Sequence, residues 1–187
     1  QPVLGLLQIQ LDKQFVAAQS YSHSAKIGDK TEREFSSLCA NHNWCTSKLA
    51  AGFGSAVPIM LINGKKIKAP DILLRKAPLD VAVEVKSKAP YMGQYMIDAH
   101  RVDYGIEWES FTQYPLFFVF KDKPYAEENP NSFHVCSARK LHKNHSNYNP
   151  NSKDRSGNPC PTYLYDQKLF VPFTSSFLTG SVTTKTD

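Results

Sequence analysis

The sequence predicts a mixed α/β fold, a central mixed β-sheet with helices packed on it, and three observations carry that reading. Apolar runs follow one another in the order helix, several strands, helix, strand. Residues 79 to 86 alternate strictly, with Leu79, Val81, Val83 and Val85 on one face and Asp80, Ala82, Glu84 and Lys86 on the other. Asn63-Gly64, between two short apolar runs, is a strong hairpin turn. A chain of 187 residues reads as one domain with enough core to fold unaided.

Residues 1 to 27 read as a short helical or irregular extension. Gln1 to Leu7 is too short for a secretory signal and lacks its basic flank. No run approaches the ~18 apolar residues of a membrane span, so a cytoplasmic location is expected. The chain does not begin with Met, and its numbered start reads as processed or truncated. A helix is predicted to start near Asp29 and run to His42, with Phe35, Leu38, Cys39 and His42 at helical spacing and Trp44 closing it. Asp29-x-x-Glu32 and Thr31-x-x-Glu34 both suit a capped helix start, Glu34 the better of the two. Strands are expected at about 57 to 62 and 65 to 68, then from Asp71 to Leu74 and from 79 to 86, the last two joined by a turn over Arg75-Lys76-Ala77-Pro78.

After Pro90, the segment from Tyr91 to Phe111 reads as helical, and Pro115 to Phe120 as a buried strand. Ser132 to Ala138 reads as another strand, and Tyr163 to Val171 as a hairpin around Asp166-Gln167. Between these lies a stretch from about 142 to 161 rich in Asn, Ser, Lys, Gly and Pro. A loop of that length is functional or disordered. Its basic residues and those before it (Arg139, Lys140, Lys143, Lys153, Arg155) suit phosphate contacts, though a plain solvated loop accounts for them equally.

The net charge of +5 favours a polyanionic partner without establishing one. Four cysteines (Cys39, Cys45, Cys136, Cys160) show no C-x-x-C pairing and fit a reducing compartment. A zinc site from Cys136, His142, His145 and Cys160 has no recognisable ligand spacing. The chemistry concentrates elsewhere. Thirteen positions separate Asp71 from Glu84, and their midpoint falls in the Ala77-Pro78 turn. An unbulged hairpin therefore sets them directly opposite, with Cβ atoms about 4.5–5.5 Å apart. Two carboxylates so placed repel unless a cation lies between them. Hard oxygen ligands suit Mg²⁺, whose retained waters serve as nucleophiles in phosphodiester hydrolysis. Asp71 and Glu84 would be the ligands, with the Val85 carbonyl as third. Lys86, one pleat beyond Glu84, would neutralise developing charge, or help deprotonate water if burial lowers its pKa. The competing reading is an ion pair of Lys86 with Glu84 or Asp71 on a half-exposed sheet face.

Pro70-Asp71 followed by Glu84-Val85-Lys86 resembles the signature of the PD-(D/E)XK nuclease superfamily. Gly28-x-x-x-Glu32-Arg33-Glu34-Phe35-x-x-Leu38 resembles the first helix of the archaeal Holliday junction resolvases in that superfamily. The stretch from the second helix through Tyr114-Pro115-Leu116-Phe117-Phe118-Val119-Phe120 is similar to the next helix and strand of the same core. The resemblance implies a restriction-endonuclease-like core over residues 28 to 123; outside it, the 1–27 extension and a β-rich C-terminal extension over 124 to 187, expected to pack on the core, have no counterpart in the family.

It implies Asp71 and Glu84 as metal ligands, Lys86 as the catalytic lysine, and Glu32 as a helix acid that orients water or helps bind a second ion. At 100° per residue, Glu32 lies nearer than Glu34 to the Phe35/Leu38/Cys39 face. Gln94 has only a loose counterpart and reads better as surface helix. The expectation is an Mg²⁺-dependent DNA endonuclease, with Mn²⁺ able to substitute, acting as a homodimer on a specific sequence or a branched structure. Lys65, Lys66, Lys68, Lys88, Arg101 and the basic C-terminal residues would contact the DNA backbone. A non-catalytic DNA-binding or assembly protein with the same fold is the rival from another class.

Overall fold

The computed structural model describes residues 26–49, 59–62, 65–121, 132–145, 147–153 and 157–173, with only the backbone at 59–62 and 65–68. Residues 1–25 of the expected 1–27 extension, the Asn63-Gly64 turn and Arg155 lie outside these residues, and 26 and 27 already belong to a helix. The expected mixed α/β architecture is present. Its centre is a six-stranded sheet in the order β1-β4-β5-β7-β8-β11, formed by β1 (Cys45–Lys48), β4 (Ile72–Lys76), β5 (Leu79–Ser87), β7 (Leu116–Lys121), β8 (Phe133–Ser137) and β11 (Val171–Pro172). β5 and β7 run parallel, and every other pairing in this sheet is antiparallel. The short β2 (Ile59–Ile62) and β3 (Lys65–Lys68) pair as the expected hairpin strands, with Ile62 opposite Lys65.

Helix α1 spans 26–41 and buries Thr31, Phe35 and Cys39, a stripe of period four, on one face of the sheet. There Phe35 meets Ile72, Leu74, Val81, Val83, Val85, Val119 and Phe133 in one core. Phe35 sits edge-on to Phe133 and Phe173, with ring centroids 5.2 and 5.0 Å away. Helix α2 (Ala99–Thr112) and helix α3 (Ala138–Lys143) cover the opposite face. Val102, Trp108 and Leu141 pack there with Ala82, Leu116, Phe118 and Phe120. A second sheet, β6-β10-β9, joins this side through Tyr95, Ile97 and Tyr165. It comprises β6 (Gln94–Asp98), β9 (Asn147–Asn149) and β10 (Thr162–Asp166). Each fully buried Phe, Leu or Val in these cores contributes about 1.5–3 kcal/mol. The face carrying Ala82 and Glu84 is thus buried rather than half-exposed, because helices lie on both sides of the sheet.

Four expectations are corrected. Helix α1 is already helical at residue 26, so neither Asp29-x-x-Glu32 nor Thr31-x-x-Glu34 caps its start. The Thr31 hydroxyl instead donates to the Ile27 carbonyl at 2.8 Å, and Glu34 pairs with Lys121 at 2.6 Å. The stretch from Tyr91 to Phe111 is not one helix. Met92 and Gly93 take positive φ (49° and 76°) in a turn, and Tyr95 and Ile97 point inward from β6 before α2 begins. That strand is stabilised by β10, more than sixty residues downstream, and local periodicity holds no trace of such a partner. Gln94 accordingly sits on a strand.

The Tyr163–Val171 segment is not a hairpin either. A 3₁₀ turn (Gln167–Leu169), in which the Lys168 N–H donates to Asp166 Oδ1 and the Gln167 N–H to the Gly93 carbonyl, carries the chain from one sheet to the other. Phe170 anchors in the α2-side core and Phe173 in the α1-side core, so β10 and β11 are pulled apart. The 142–161 stretch, finally, holds β9, paired with β10, and the end of α3, whose Ser137 cap accepts from the Lys140 N–H at 3.2 Å.

Candidate active site

The β4–β5 hairpin turns over Ala77-Pro78, a cis peptide, and its register places Ile72 against Val83 and Leu74 against Val81. Continued by one residue, it sets Asp71 opposite Glu84, on the α2 side of the sheet. Both carboxylates are buried, 5% and 4% exposed. The Val85 N–H donates to Asp71 Oδ2 at 2.8 Å, which locks the Asp71 side chain across the mouth of the hairpin. Because the N–H and C=O of a strand residue point to the same side, the Val85 carbonyl also faces β4. The β4–β5 pairing ends at Ile72 opposite Val83, and Pro70, just before it, has no N–H to offer that carbonyl. The two carboxylates meet where β4 begins.

Lys86 lies on the same face. Its Nζ is 2.5 Å from Glu84 Oε1 and 3.9 Å from Asp71 Oδ2. Burial pulls the ammonium down, but attraction to Glu84 and Asp71 outweighs it and the net direction is upward from 10.5. The proton therefore stays on: the pairing is present below about pH 10.5 and is lost only as the pH rises through the higher folded value. With Glu84 and Asp71 as its neighbours the net direction is upward, opposite to the lowered pKa that the water-deprotonating role called for. The ion pair of the competing reading is present, with Glu84 buried and Lys86 partly exposed, inside a group of four charges.

The fourth member is Arg101, expected only as a backbone contact. Its Nη1 lies 3.5 Å from Glu84 Oε1, the oxygen that Lys86 already holds. Pro70, Glu84, Arg101, Tyr104, Gly105, Leu116 and Phe118 line a small cleft there. Reading the helix from Tyr91 puts Arg101 in its middle. Starting it at Ala99 puts Arg101 in the first turn, beside the hairpin mouth. The missed signal was the turn at Met92-Gly93.

Glu32 is held on the other side of the sheet edge. Lys48 Nζ lies 3.0 Å from its Oε2 and 2.8 Å from Asp29 Oδ1. Lys48 stands opposite Ile72, and the next N–H, from Leu49, donates to the Asp71 carbonyl at 2.9 Å. The partner of Glu32, Lys48, thus stands on β1 one residue before the N–H that meets the Asp71 carbonyl. Among the described residues, no three or more His, Cys, Asp or Glu side chains stand close enough to hold a metal ion. The carboxylates of Asp71 and Glu84 are hard oxygen donors of the kind that suit a divalent cation keeping several waters.

Of the other expected DNA contacts, Lys88 Nζ donates to the Met96 carbonyl and Lys140 Nζ to that of Leu169, both at 3.0 Å. Arg139 Nε lies 2.5 Å from Glu109 Oε2. Lys143 and Lys153 are exposed, and Lys65, Lys66 and Lys68 are placed by backbone only, on β3. No helix among the described residues is long and apolar enough to cross a membrane.

No protein-family model matches the chain, and no curated protein matches it in sequence. Among solved structures, the fold is similar to that of Hjc, a Holliday junction resolvase from the archaeal hyperthermophile Archaeoglobus fulgidus. The TM-score is 0.50 and the identity 13%, over 76% of this chain and 90% of that one.

Proposed function

We propose that this chain is a metal-dependent DNA endonuclease of the PD-(D/E)XK type. The observation that carries the reading is the hairpin mouth, where the buried Asp71 and Glu84 face each other and Lys86 stands on Glu84. The likeness of the fold to a Holliday junction resolvase supports it. Asp71, Glu84 and the Val85 carbonyl would hold Mg²⁺, or Mn²⁺ in its place, which when bound supplies an acidified water and charge neutralisation at the scissile phosphate. Lys86 keeps its proton and stabilises the charge that builds on the phosphoryl oxygens. Glu32 serves as the outer acid that orients water, with Lys48 as its partner.

Lys65, Lys66, Lys68, Lys88 and Arg101 contact the DNA backbone, together with Arg139, Lys140, Lys143, Lys153 and Arg155. The protein works in the cytoplasm as a homodimer, on a specific sequence or on a branched junction. The nuclease core comprises residues 28–123, with 124–187 as its extension.

The test is cleavage of plasmid and four-way-junction DNA with Mg²⁺, comparing wild type with Glu84→Ala and Lys86→Ala. Metal-dependent nicking abolished by both substitutions is the expected result. Undiminished cleavage by Glu84→Ala would remove the site assignment. A stoichiometric DNA complex without nicking by the wild type would make the protein a binding module instead.

A further inference from the structure

Arg101 is a conflict in the local design of α2. The positive end of a helix dipole disfavours a cation in the first turn, and α2 opens with no acid there and no capping side chain from Asp98. Arg101 is nonetheless turned toward the hairpin mouth and partly buried, on an oxygen of Glu84 that Lys86 already holds at a distance 1.0 Å shorter (2.5 against 3.5 Å). Two cations on one carboxylate oxygen repel each other, and the longer contact is the weaker. Such arrangements persist where function requires them.

The charges give the requirement. Asp71 and Glu84 carry two negative charges, Lys86 and Arg101 two positive ones, so the four groups sum to zero. A divalent cation would bring the site to +2. A phosphodiester arrives with one negative charge and gains a second when a hydroxide adds to phosphorus, which matches that excess.

Resting on the nuclease reading above, we propose that Arg101 is the ligand of the scissile phosphodiester: its guanidinium leaves Glu84 for a non-bridging phosphate oxygen when Glu84 takes up its metal-binding role. The cleft of Pro70, Tyr104, Gly105, Leu116 and Phe118 is the space in which that oxygen sits. A guanidinium suits the task, since its rigid fork can hold two oxygens of one phosphate. Arg101 is then distinct from the surface lysines: it binds the phosphate that is cut, whereas they bind phosphates that are not.

The test measures binding, apart from turnover. Duplex DNA is titrated in Ca²⁺ at several salt concentrations with wild type, Arg101→Met and Arg101→Lys, and Mn²⁺ is titrated calorimetrically without DNA. Arg101→Met is expected to weaken duplex binding about tenfold and to lower the slope of log K against log salt by about one phosphate contact. Its Mn²⁺ affinity should equal or exceed that of the wild type, because a cation competing for Glu84 is gone. Arg101→Lys should regain the salt slope while remaining slow in cleavage.

An unchanged salt slope and duplex affinity in Arg101→Met overturns the proposal. Loss of Mn²⁺ binding in that variant with the slope intact also overturns it, making Arg101 a group that only positions Glu84. If the wild type binds no Mn²⁺, or Glu84→Ala binds it equally well, the metal-site reading itself has failed, and the proposal with it.

Discussion

Two buried glutamates lie near opposite ends of α2, and the same helix pairs them in different ways. Glu109, in the last turn, is 3% exposed. One of its oxygens accepts the Leu116 N–H at 2.8 Å and the other faces Arg139 Nε at 2.5 Å. Each oxygen has one donor, so the group is settled, and it ties α2 to both the start of β7 and α3. Glu84, facing the first turn, is buried as deeply, yet one of its oxygens serves two cations, and a second carboxylate faces it across the hairpin. The charges on α2 itself oppose its dipole, Arg101 in the first turn and Glu109 in the last, while Glu84 and Arg139, which face those turns from other elements, agree with it. The difference shows what burial alone does not. A buried carboxylate with one donor per oxygen has its partners fixed, whereas one whose single oxygen is shared by two cations has a partner to give up.

The sharpest way to break this contrast is Glu84→Gln. It should lower cleavage by about 10³-fold and remove Mn²⁺ binding, while circular dichroism reports an intact fold. Retained Mn²⁺ affinity would put Glu84 in the same class as Glu109. Lys86→Met should follow with a loss of about 10²-fold, but with Mn²⁺ binding kept, since the lysine donates charge and no lone pair.

Glu109→Gln should do the reverse. Unfolding free energy is expected to fall by about 1–3 kcal/mol, measured by urea denaturation, with the cleavage rate per folded molecule within about twofold of wild type. The loosened α3 also has a chemical reporter. Cys136, at the base of α3, and Cys39, on the inner face of α1, are both buried, and burial pushes each thiol up to about 12. In Glu109→Gln, alkylation of Cys136 should accelerate while that of Cys39 stays slow. Equal acceleration at both would mean global unfolding, and the assignment of Glu109 to the α2–α3 contact would be lost.

The smallest effect is expected at Gly105, midway between the two glutamates. A Cβ there would stand 3.2 Å from the Ala138 Cβ and 3.4 Å from Leu116 Cδ2. Gly105→Ala gains about 1 kcal/mol of helix propensity but overpacks the α2–α3 crossing by about 1–3 kcal/mol. A net loss of about 1 kcal/mol should appear in the denaturation midpoint, and a gain would show that α3 yields freely.

What was legible in the sequence follows the range of the forces involved. The β4–β5 hairpin could be read from alternation and turn chemistry, so the opposition of Asp71 to Glu84 was a local deduction. The strand at Leu116 to Lys121 was equally plain, because a parallel central strand is apolar on both faces. Strand β6 was hidden, since its partner β10 is remote and Gln94 to Asp98 carries no strong propensity of its own. That error propagated: with the helix started too early, Arg101 looked like a surface cation. The Lys48–Glu32 pair was hidden for the same reason, since only the packing of α1 brings residue 32 to the sheet edge.

Pro70 contributes by a hydrogen it does not have. The β4–β5 pairing runs out at Ile72 opposite Val83, and the Val85 N–H turns to the Asp71 carboxylate instead of to backbone. A proline just before that point brings no donor of its own to compete for the oxygens gathered there. One seam of the sheet is left unstitched, at the place where the two acids meet.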